Sequence, residues 1–432
     1  MPDRPAVYLL PGLRSPFAKI DRELDRLNAL KLSVPVVQQT VVGSRGLGPD
    51  QVGQVDLVIW GSVIPTLSVS NWGREVWLDA GLDPSVPALT VIQQCATSMA
   101  AATHAAAQIR DGHLDLALCG GVESMSATQV GLSRSFSQKL RRAGQAGSPV
   151  DAARQLVKLR PSDLRLGIPA VEERTTGKSM GQHTEEMARD WEIPRDDQDE
   201  FAVASHHNSA RATTDGFFRP LLVSPGTFDI DNDTIPRPDT SVEALAKLRP
   251  AFDRERGTLT AGNSSPLTDG AACCWITSEA GNERLSDALP RVRLLDWEVA
   301  AIDPRTEGLL IAPGIAIPRL LARNGLAYDD IELWEIHEAF AAQVLCTIKA
   351  LEDASWVGKK AGVSADLGQF PRDRINPNGG SVAIGHPFAA TGARILSQAT
   401  TELAALPAGS RCVVSICAAG GLGHVTLLES IG

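Results

Sequence analysis

Short apolar segments rich in β-branched residues alternate along this chain with Ala-rich stretches of helical length, and this alternation constrains the fold more than any other feature. Strands that are buried on both faces by helices have this pattern, so it predicts an α/β fold. The predicted strands and strand-to-loop junctions are 55–63, 114–125, 271–278, 331–340 and 410–430. The predicted helices are 96–112, 312–325 and 392–406.

The order of these segments is similar at the two ends of the chain. In each case a strand leads through a loop to an Ala-rich helix and then to a strand that runs into glycines, "CGGVES" in the first part and "CAAGGLG" in the last. Two similar α/β halves packed together would explain this order, and so would the ordinary alternation of any α/β chain. Residues 128–255 differ in character and are too long for one connector, which predicts an inserted loop domain.

Composition excludes several classes of function. A formal net charge of -10 disfavours nucleic acid as a partner. The 7 cysteines form no CxxC pair, and their odd number argues against a disulfide scaffold, so a reducing cytoplasm is expected. The chain shows no apolar run of roughly 18 residues and no cleavage-site pattern after its first apolar stretch. Neither a membrane-spanning helix nor a signal peptide is therefore expected.

Cys95, in "QQCATSMAA" at 93–101, stands immediately before a predicted Ala-rich helix. The partial positive charge of a helix N-terminus would favour the thiolate and lower the pKa of this thiol. The small neighbours Ala96, Thr97 and Ser98 would leave backbone N–H groups open to a substrate oxygen. These features make Cys95 a candidate nucleophile, and a buried structural cysteine is the alternative.

Three further residues follow predicted strands, on Gly-rich or helix-initiating turns. They are His337 in "EIHEAFAAQ", His386 in "NPNGGSVAIGHPFAATGAR" and Cys417 in "SICAAGGLG". Taken singly, each also fits a half-buried, turn or packed residue. Taken together with Cys95, they supply a nucleophile and a second acid or base.

At these residues the sequence closely resembles the thiolase family, and the resemblance covers almost the whole chain. Its segments are 14–17, 93–101, 119–126, 180–188, 257–272, 335–343, 378–394 and 417–423. It implies a five-layered α-β-α-β-α fold of two similar halves. The expected N-terminal half comprises 1–127 and 256–285, the loop domain 128–255, and the C-terminal half 286–432.

The resemblance also implies a role for each candidate residue. Cys95 is expected to accept an acyl group as a thioester, with His386 as the base that activates it. Cys417 is expected to move protons at the leaving thiol and at the acetyl α-carbon. His386 and His337 are the expected donors to the thioester oxygen of the enolate.

Two more positions carry expected binding roles. The backbone N–H groups of Cys95 and Ala419 form the expected oxyanion hole for the tetrahedral intermediates. Many family members have glycine at position 419, and alanine is compatible with the role if its φ is negative. Ser265 aligns with a family serine near the pantetheine of CoA.

One departure from the family pattern bears on function. The chain reads His337-Glu338-Ala339-Phe340 where many thiolases read Asn-Glu-Ala-Phe. The His form resembles the thiolase subunit of the fatty-acid-oxidation trifunctional complex, which implies CoA-dependent cleavage of 3-ketoacyl-CoA in β-oxidation. The alternatives are an acetoacetyl-CoA thiolase of biosynthesis, a ketoacyl-synthase-like enzyme and a non-catalytic scaffold subunit.

The family resemblance and the motifs of the chain also predict its ligands and partners. With neither a Walker motif nor a GxGxxG fingerprint, CoA is expected as a substrate, and neither a bound cofactor nor a metal is expected. His183 with His206 and His207 lacks a third ligand at metal-site spacing. The family resemblance implies a homodimer or dimer of dimers, and a hydratase/dehydrogenase subunit is a further possible partner.

Residues 131–166 are basic in an otherwise acidic chain. Contact with a membrane surface, docking of a partner, attraction of the CoA phosphates and a plain solvated helical face are the four interpretations. The charged residues are Arg134, Lys139, Arg141, Arg142, Arg154, Lys158, Arg160 and Arg165, against Asp151 and Asp163.

Overall fold

The alternating segments form the strands and helices of a large mixed sheet in the computed structural model, which describes residues 5–43, 46–47, 53–164, 166–167 and 172–432. The strands are β1 (Tyr8–Arg14), β2 (Ala18–Lys19), β3 (Leu57–Gly61), β4 (Ala88–Thr90), β5 (Leu116–Glu123), β6 (Gly131–Leu132), β7 (Leu166–Gly167), β8 (Glu172–Glu173), β9 (Lys178–Ser179), β10 (Thr268–Thr277), β11 (Val292–Ala301), β12 (Leu333–Ile336), β13 (Arg411–Ala418) and β14 (Leu422–Ser430). The helices are α1 (Ala29–Val42), α2 (Trp72–Asp79), α3 (Thr97–Arg110), α4 (Arg134–Gly144), α5 (Pro149–Leu156), α6 (Met180–Asp190), α7 (Arg195–Thr214), α8 (Val242–Leu245), α9 (Glu279–Asn282), α10 (Pro313–Arg323), α11 (Ala341–Glu352), α12 (Ala354–Ala361), α13 (Ser381–Ile384) and α14 (Thr391–Leu403). All the predicted strands and helices are present.

The main sheet is built from two copies of one strand pattern. Its order is β12-β13-β14-β11-β1-β10-β5-β3-β4, and β2 pairs with β10. On one side β3 is parallel to β5, and β10 and β1 follow antiparallel. On the other side β12 is parallel to β13, and β14 and β11 follow antiparallel. The similar order of segments in the sequence is therefore a structural repeat, and the prediction of two similar α/β halves is confirmed.

Helices separate the two halves of the sheet and cover their outer faces. Helices α3 and α14 pack against each other in the middle, with α14 touching strands of both halves. Helices α1 and α2 cover the first half, and α10 covers the second. This gives the expected five layers, α-β-α-β-α. Cys95 and His386 lie just before the two central helices, so this layer brings the candidate catalytic residues together.

The Ala-rich composition of the central layer has a packing reason. Ala101, Ala102, Ala105 and Ala106 of α3 are fully buried, and their small side chains let sheet and helix approach closely. In α14, a Cβ on Gly392 would lie 2.5 Å from the backbone nitrogen of Met99. Close contact between α3 and α14 therefore requires glycine at this position.

The sequence pattern did not predict strands β1 and β11. Pro11 lies inside β1 and has no N–H for the ladder, and the pairing register with β10 shifts between Pro11 and Arg14. Such an irregularity lets a proline occupy a strand. β11 contains the charged residues Asp296 and Glu298, both of which pair with Arg323, so its sequence lacks a continuous apolar run.

Residues 128–171 form a compact unit of their own, and residues 1–127 with 172–432 form the other. In the small unit β6 pairs with β7, and Lys139 pairs with Asp163 at 2.5 Å. Neither α4 nor α5 has a buried residue. The wider loop domain expected at 128–255 stays a prediction, and Arg165 lies outside the described residues. Among the described helices, none has the length and apolar character that crossing a membrane requires.

Candidate active site

Cys95 lies in a tight turn directly before α3, as predicted. Gln94 adopts a left-handed backbone with φ of 46°, and α3 begins at Thr97. The Thr97 hydroxyl donates to the Gln94 carbonyl at 2.7 Å and accepts from the Gln93 N–H at 2.9 Å. The Thr97 side chain thereby holds together the turn that presents Cys95.

His386 is in contact with the Cys95 thiol. Its Nε2 lies 3.1 Å from Cys95 Sγ, and its Nδ1 lies 2.6 Å from Thr391 Oγ1. The Thr391 hydroxyl donates its single proton to the Pro387 carbonyl at 3.0 Å, so its oxygen accepts from His386 Nδ1–H. His386 Nε2 then carries the lone pair, and it can take the proton of the thiol.

The backbone before His386 is held just as firmly. Gly385 has φ of 111°, and a Cβ there would lie 2.8 Å from side-chain carbons of Ile235 and Thr268. The His386 N–H donates to Thr268 Oγ1 at 3.0 Å. Glycine at position 385 is therefore required both by conformation and by space.

The prediction of a lowered pKa for Cys95 is wrong. Burial of the sulfur raises the pKa of Cys95 to about 12, although hydrogen bonds from the Ala419 and Cys95 backbone N–H groups act in the opposite direction. Burial and the charge of Arg394 lower the pKa of His386 to about 3. Removal of the thiolate from water therefore raises the pKa by more than the helix N-terminus lowers it. Both shifts favour a neutral thiol beside a neutral imidazole.

The loop after Cys417 places a second backbone N–H at the thiol. The Ala419 N–H faces Cys95 Sγ together with the N–H of Cys95 itself. Gly420 and Gly421 have φ of 83° and 74°, whereas Ala419 is not among the residues with positive φ. The condition predicted for an alanine at this position is met. The Gly420 N–H donates to Glu173 Oε2 at 3.0 Å, which fixes the loop.

Cys417 lies at the end of β13, paired with Gly423 of β14, and is 1% exposed. Burial raises the pKa of the Cys417 thiol well above its usual value, and a charge on Cys95 raises it further. Cys417 is therefore protonated at neutral pH. A thiol in this state can act as an acid beside the Cys95 sulfur.

His337 completes the group. Its ring centroid lies 4.2 Å from that of His386, and its Nδ1 lies 2.9 Å from Ser381 Oγ. Its buried Nε2 has no hydrogen-bond partner among the residues that the structure describes. Burial and nearby positive charge lower its pKa well below the usual value, so the ring is neutral. Cys95 Sγ and one ring nitrogen from each of His337 and His386 lie within 4.8 Å of one another.

Ser265 lies beside the segment that carries His337. Its hydroxyl and its N–H both donate to the Ala339 carbonyl, at 2.8 and 3.0 Å. The serine oxygen keeps lone pairs for a ligand N–H. The three other histidines weighed as metal ligands have separate contacts: His183 with Thr176, His206 with Arg237 and His207 with Thr240. In the described part of the chain they form no group with metal-ligand spacing.

Sequence reasoning missed the residues that orient the site. Thr391, Ser381 and Arg394 all lie within the "NGGSVAIGHPFAATGAR" segment. No periodicity shows that Thr391 contacts His386, that Ser381 contacts His337 or that Arg394 contacts Ser381. Glu173 lies far along the chain from the loop that it holds, and nothing in its local sequence signals this contact.

A half-buried cysteine with a base at its sulfur, two backbone donors and a second thiol is an arrangement suited to an acyl-transferring enzyme. The chain is in fact a member of the thiolase family. Residues 7–280 match the family model "Thiolase, N-terminal domain", and residues 288–430 match "Thiolase, C-terminal domain".

Named relatives agree with this assignment. The chain is 36% identical over 427 residues to a 3-ketoacyl-CoA thiolase of Pectobacterium atrosepticum, covering 98% of this chain and 96% of the relative. A 3-ketoacyl-CoA thiolase of Yersinia enterocolitica is 35% identical with the same coverage.

Solved structures share the fold over its full length. An acetyl-CoA acetyltransferase of Bacillus anthracis matches with a TM-score of 0.80 and 29% identity, covering 99% of both chains. The Acat5 thiolase of Ascaris suum in complex with coenzyme A matches with a TM-score of 0.80 and 26% identity, covering 99% of this chain and 100% of that one.

Proposed function

We propose that this enzyme is a 3-ketoacyl-CoA thiolase, which uses CoA to cleave 3-ketoacyl-CoA into acetyl-CoA and an acyl-CoA shortened by two carbons. The observation that carries the proposal is the position of Cys95 Sγ, 3.1 Å from His386 Nε2 and facing two backbone N–H groups, with a second thiol beside it. The named relatives are 3-ketoacyl-CoA thiolases, which supports the degradative direction.

Acylation starts from the neutral pair. Cys95 Sγ attacks the 3-keto carbon while its proton moves to His386 Nε2, so no free thiolate has to form in the buried site. Negative charge develops on the former keto oxygen, within reach of the Cys95 and Ala419 N–H groups. Collapse of this intermediate re-forms the carbonyl as a Cys95 thioester and breaks the bond between carbons 2 and 3.

The leaving fragment is the enolate of acetyl-CoA. His386, now protonated at Nε2, donates to the enolate oxygen, and the unpartnered Nε2 of His337 is the second donor on the same side. Cys417 gives its proton to the α-carbon and becomes a thiolate. Acetyl-CoA then leaves.

The second half-reaction returns the enzyme to its starting state. The Cys417 thiolate takes the proton of CoA, whose sulfur attacks the Cys95 thioester through a second tetrahedral intermediate in the same oxyanion hole. Cys95 leaves and recovers its proton from His386. The net change is one 3-ketoacyl-CoA and one CoA converted into acetyl-CoA and acyl-CoA.

CoA enters this scheme as a substrate, and no step calls for a metal or a bound cofactor. We propose that Ser265 accepts a hydrogen bond from a pantetheine N–H, since its own proton is committed to the Ala339 carbonyl. Coenzyme A is the ligand of the matching Ascaris suum structure.

The second candidate function is the condensation of two acetyl-CoA molecules by an acetoacetyl-CoA thiolase. It is favoured by the match to an acetyl-CoA acetyltransferase structure, and it runs the same proton transfers in reverse. A ketoacyl-synthase-like enzyme gives Cys417 no role. A scaffold subunit leaves the contact between Cys95 and His386 without a purpose.

The compartment and the partners of the enzyme are proposed as well. All seven cysteines are free, which supports the cytoplasm as its compartment. A homodimer or dimer of dimers, and a hydratase/dehydrogenase partner, remain proposals from the family resemblance. In the basic segment the apolar residues Leu140, Val150 and Val157 are exposed, and contact of this segment with a membrane surface or a partner stays a proposal beside a plain solvated face.

The test is CoA-dependent cleavage of acetoacetyl-CoA, 3-ketohexanoyl-CoA and 3-ketohexadecanoyl-CoA by the wild type and by Cys95→Ala and Cys417→Ala. Cleavage of the longer substrates that both variants lose is the expected result. Cys346→Ala is the matched control because Cys346 is a buried cysteine outside the site. Activity confined to acetoacetyl-CoA would support the biosynthetic alternative, and inactivity on all three substrates would refute both.

A further inference from the structure

An asparagine, which many thiolases have at position 337, carries side-chain N–H donors in its only neutral form, but a neutral histidine donates from Nε2 in only one of its two tautomers. Neighbouring side chains must therefore hold the ring in that tautomer if His337 is to donate from Nε2. Two buried residues select the tautomer: Ser381 contacts His337 Nδ1, and Arg394 contacts Ser381.

The hydrogen-bond arrangement at Ser381 leaves one consistent solution. Arg394 Nη2 lies 2.7 Å from Ser381 Oγ and can only donate, so the serine oxygen accepts there. The remaining partner of Ser381 Oγ within the described residues is His337 Nδ1 at 2.9 Å. Ser381 is fully buried, so its hydroxyl proton is satisfied only if it is donated to an unprotonated Nδ1. The ring proton of His337 then lies on Nε2.

The contacts of the Arg394 guanidinium fix its orientation. Its guanidinium is 2% exposed, and Nη1 donates to Gln398 Oε1 at 3.2 Å. The carboxyl groups of Glu335 and Glu338 lie close enough to act on it electrostatically. The guanidinium therefore cannot turn away from Ser381 without leaving a buried charge without its partners.

We propose that Ser381, oriented by Arg394, is a positioning residue that holds His337 in the tautomer with the proton on Nε2. The unpartnered Nε2 of His337 is then a fixed N–H donor aimed at the space beside Cys95 and His386. Its catalytic consequence rests on the proposed function: this N–H receives the enolate oxygen of the leaving acetyl-CoA. The pair Ser381 and His337 supplies what an asparagine supplies alone.

The experiment measures the ring protonation of His337 directly, by ¹⁵N magic-angle-spinning NMR of the full chain labelled with [¹⁵N]histidine. The His337 signals are assigned by their loss in His337→Asn. The wild type should show an unprotonated Nδ1 and a protonated Nε2. In Ser381→Ala the other tautomer should appear, and Ser381→Thr, which keeps the hydroxyl, should restore the wild-type spectrum.

Activity provides the second readout. Ser381→Ala should lower kcat about tenfold, the lower end of what loss of an orienting partner costs, with KM within about twofold, and Ser381→Thr should recover most of it. Ser209→Ala is the matched control, since Ser209 is fully buried and its hydroxyl has no partner in the described part of the chain. A wild-type spectrum with the proton on Nδ1, or an unchanged tautomer in Ser381→Ala, would overturn the proposal. Because the spectra need no substrate, they decide it even if the thiolase activity itself is absent.

Discussion

Thr391→Val tests whether the tautomer of His386 is what makes it a base. Valine keeps the shape of threonine but removes the oxygen that accepts from His386 Nδ1–H at 2.6 Å. The Pro387 carbonyl stays satisfied, because it also accepts from the N–H groups of Ala390 and Thr391. The substitution therefore leaves one group unpaired, the buried Nδ1–H of His386.

The size of the effect follows from that unpaired group. Leaving a buried donor without a partner costs about 1–3 kcal/mol. The ring escapes this cost by moving its proton to Nε2, where it faces Cys95 Sγ and can no longer take the proton of the thiol. About 1.4 kcal/mol corresponds to a factor of ten, so kcat should fall roughly 10- to 100-fold. KM should change little, since Thr391 is buried behind His386.

The assay is steady-state cleavage of acetoacetyl-CoA together with the rate of Cys95 acylation in a single turnover. Thr391→Ser keeps the hydroxyl and should stay within about threefold of the wild type, since the accepting oxygen is retained. Thr400→Val is the matched control, because Thr400 is also buried in α14 and its hydroxyl donates to the Leu396 carbonyl at 2.8 Å, away from both histidines. If Thr391→Val kept wild-type acylation, or if Thr400→Val lost as much, the tautomer argument would be refuted.

Two further predictions concern the thiol and the central helices. Because burial raises the pKa of Cys95 to about 12, the difference in thiolate ultraviolet absorbance between the wild type and Cys95→Ala should stay flat from about pH 6 to pH 10 and rise only above that range; a step near neutral pH would contradict it. Gly392→Ala should destabilise the fold by about 1–3 kcal/mol in urea unfolding, because its Cβ meets the Met99 backbone nitrogen. Gly358→Ala in α12, whose Cβ would meet only the Val363 carbonyl at 3.7 Å, should cost nothing by comparison.

The sequence predicted those parts of the fold whose signal is local. Apolar segments such as 55–63 became strands, and the Ala-rich segment 96–112 became the helix behind Cys95. β1 escaped prediction because a bulge compensates for Pro11, and β11 because its charged residues pair with a distant arginine. In both strands the compensating partner comes from another part of the chain, so no local pattern can show it.

The same limit explains the wrong pKa. The helix start beside Cys95 is visible in the sequence, and its dipole acts to lower the pKa. Burial of the sulfur involves residues hundreds of positions away, such as His386 at 3.1 Å, and it raises the pKa with greater effect. The sign of the shift is thus set by tertiary structure.

A raised pKa on the nucleophile also suits the proposed chemistry better than a lowered one. A stable thiolate beside an imidazolium would place charges in the site before any substrate arrives. With a neutral pair, charge appears only as the substrate oxygen becomes negative, which is where the backbone N–H groups of Cys95 and Ala419 and the histidine donors point. Stabilisation is then confined to the intermediates and withheld from the resting enzyme, which is the condition for raising kcat. The neutral state of the site and the fixed tautomers of His386 and His337 therefore serve the same purpose, which is to stabilise negative charge only when it develops on the substrate oxygen.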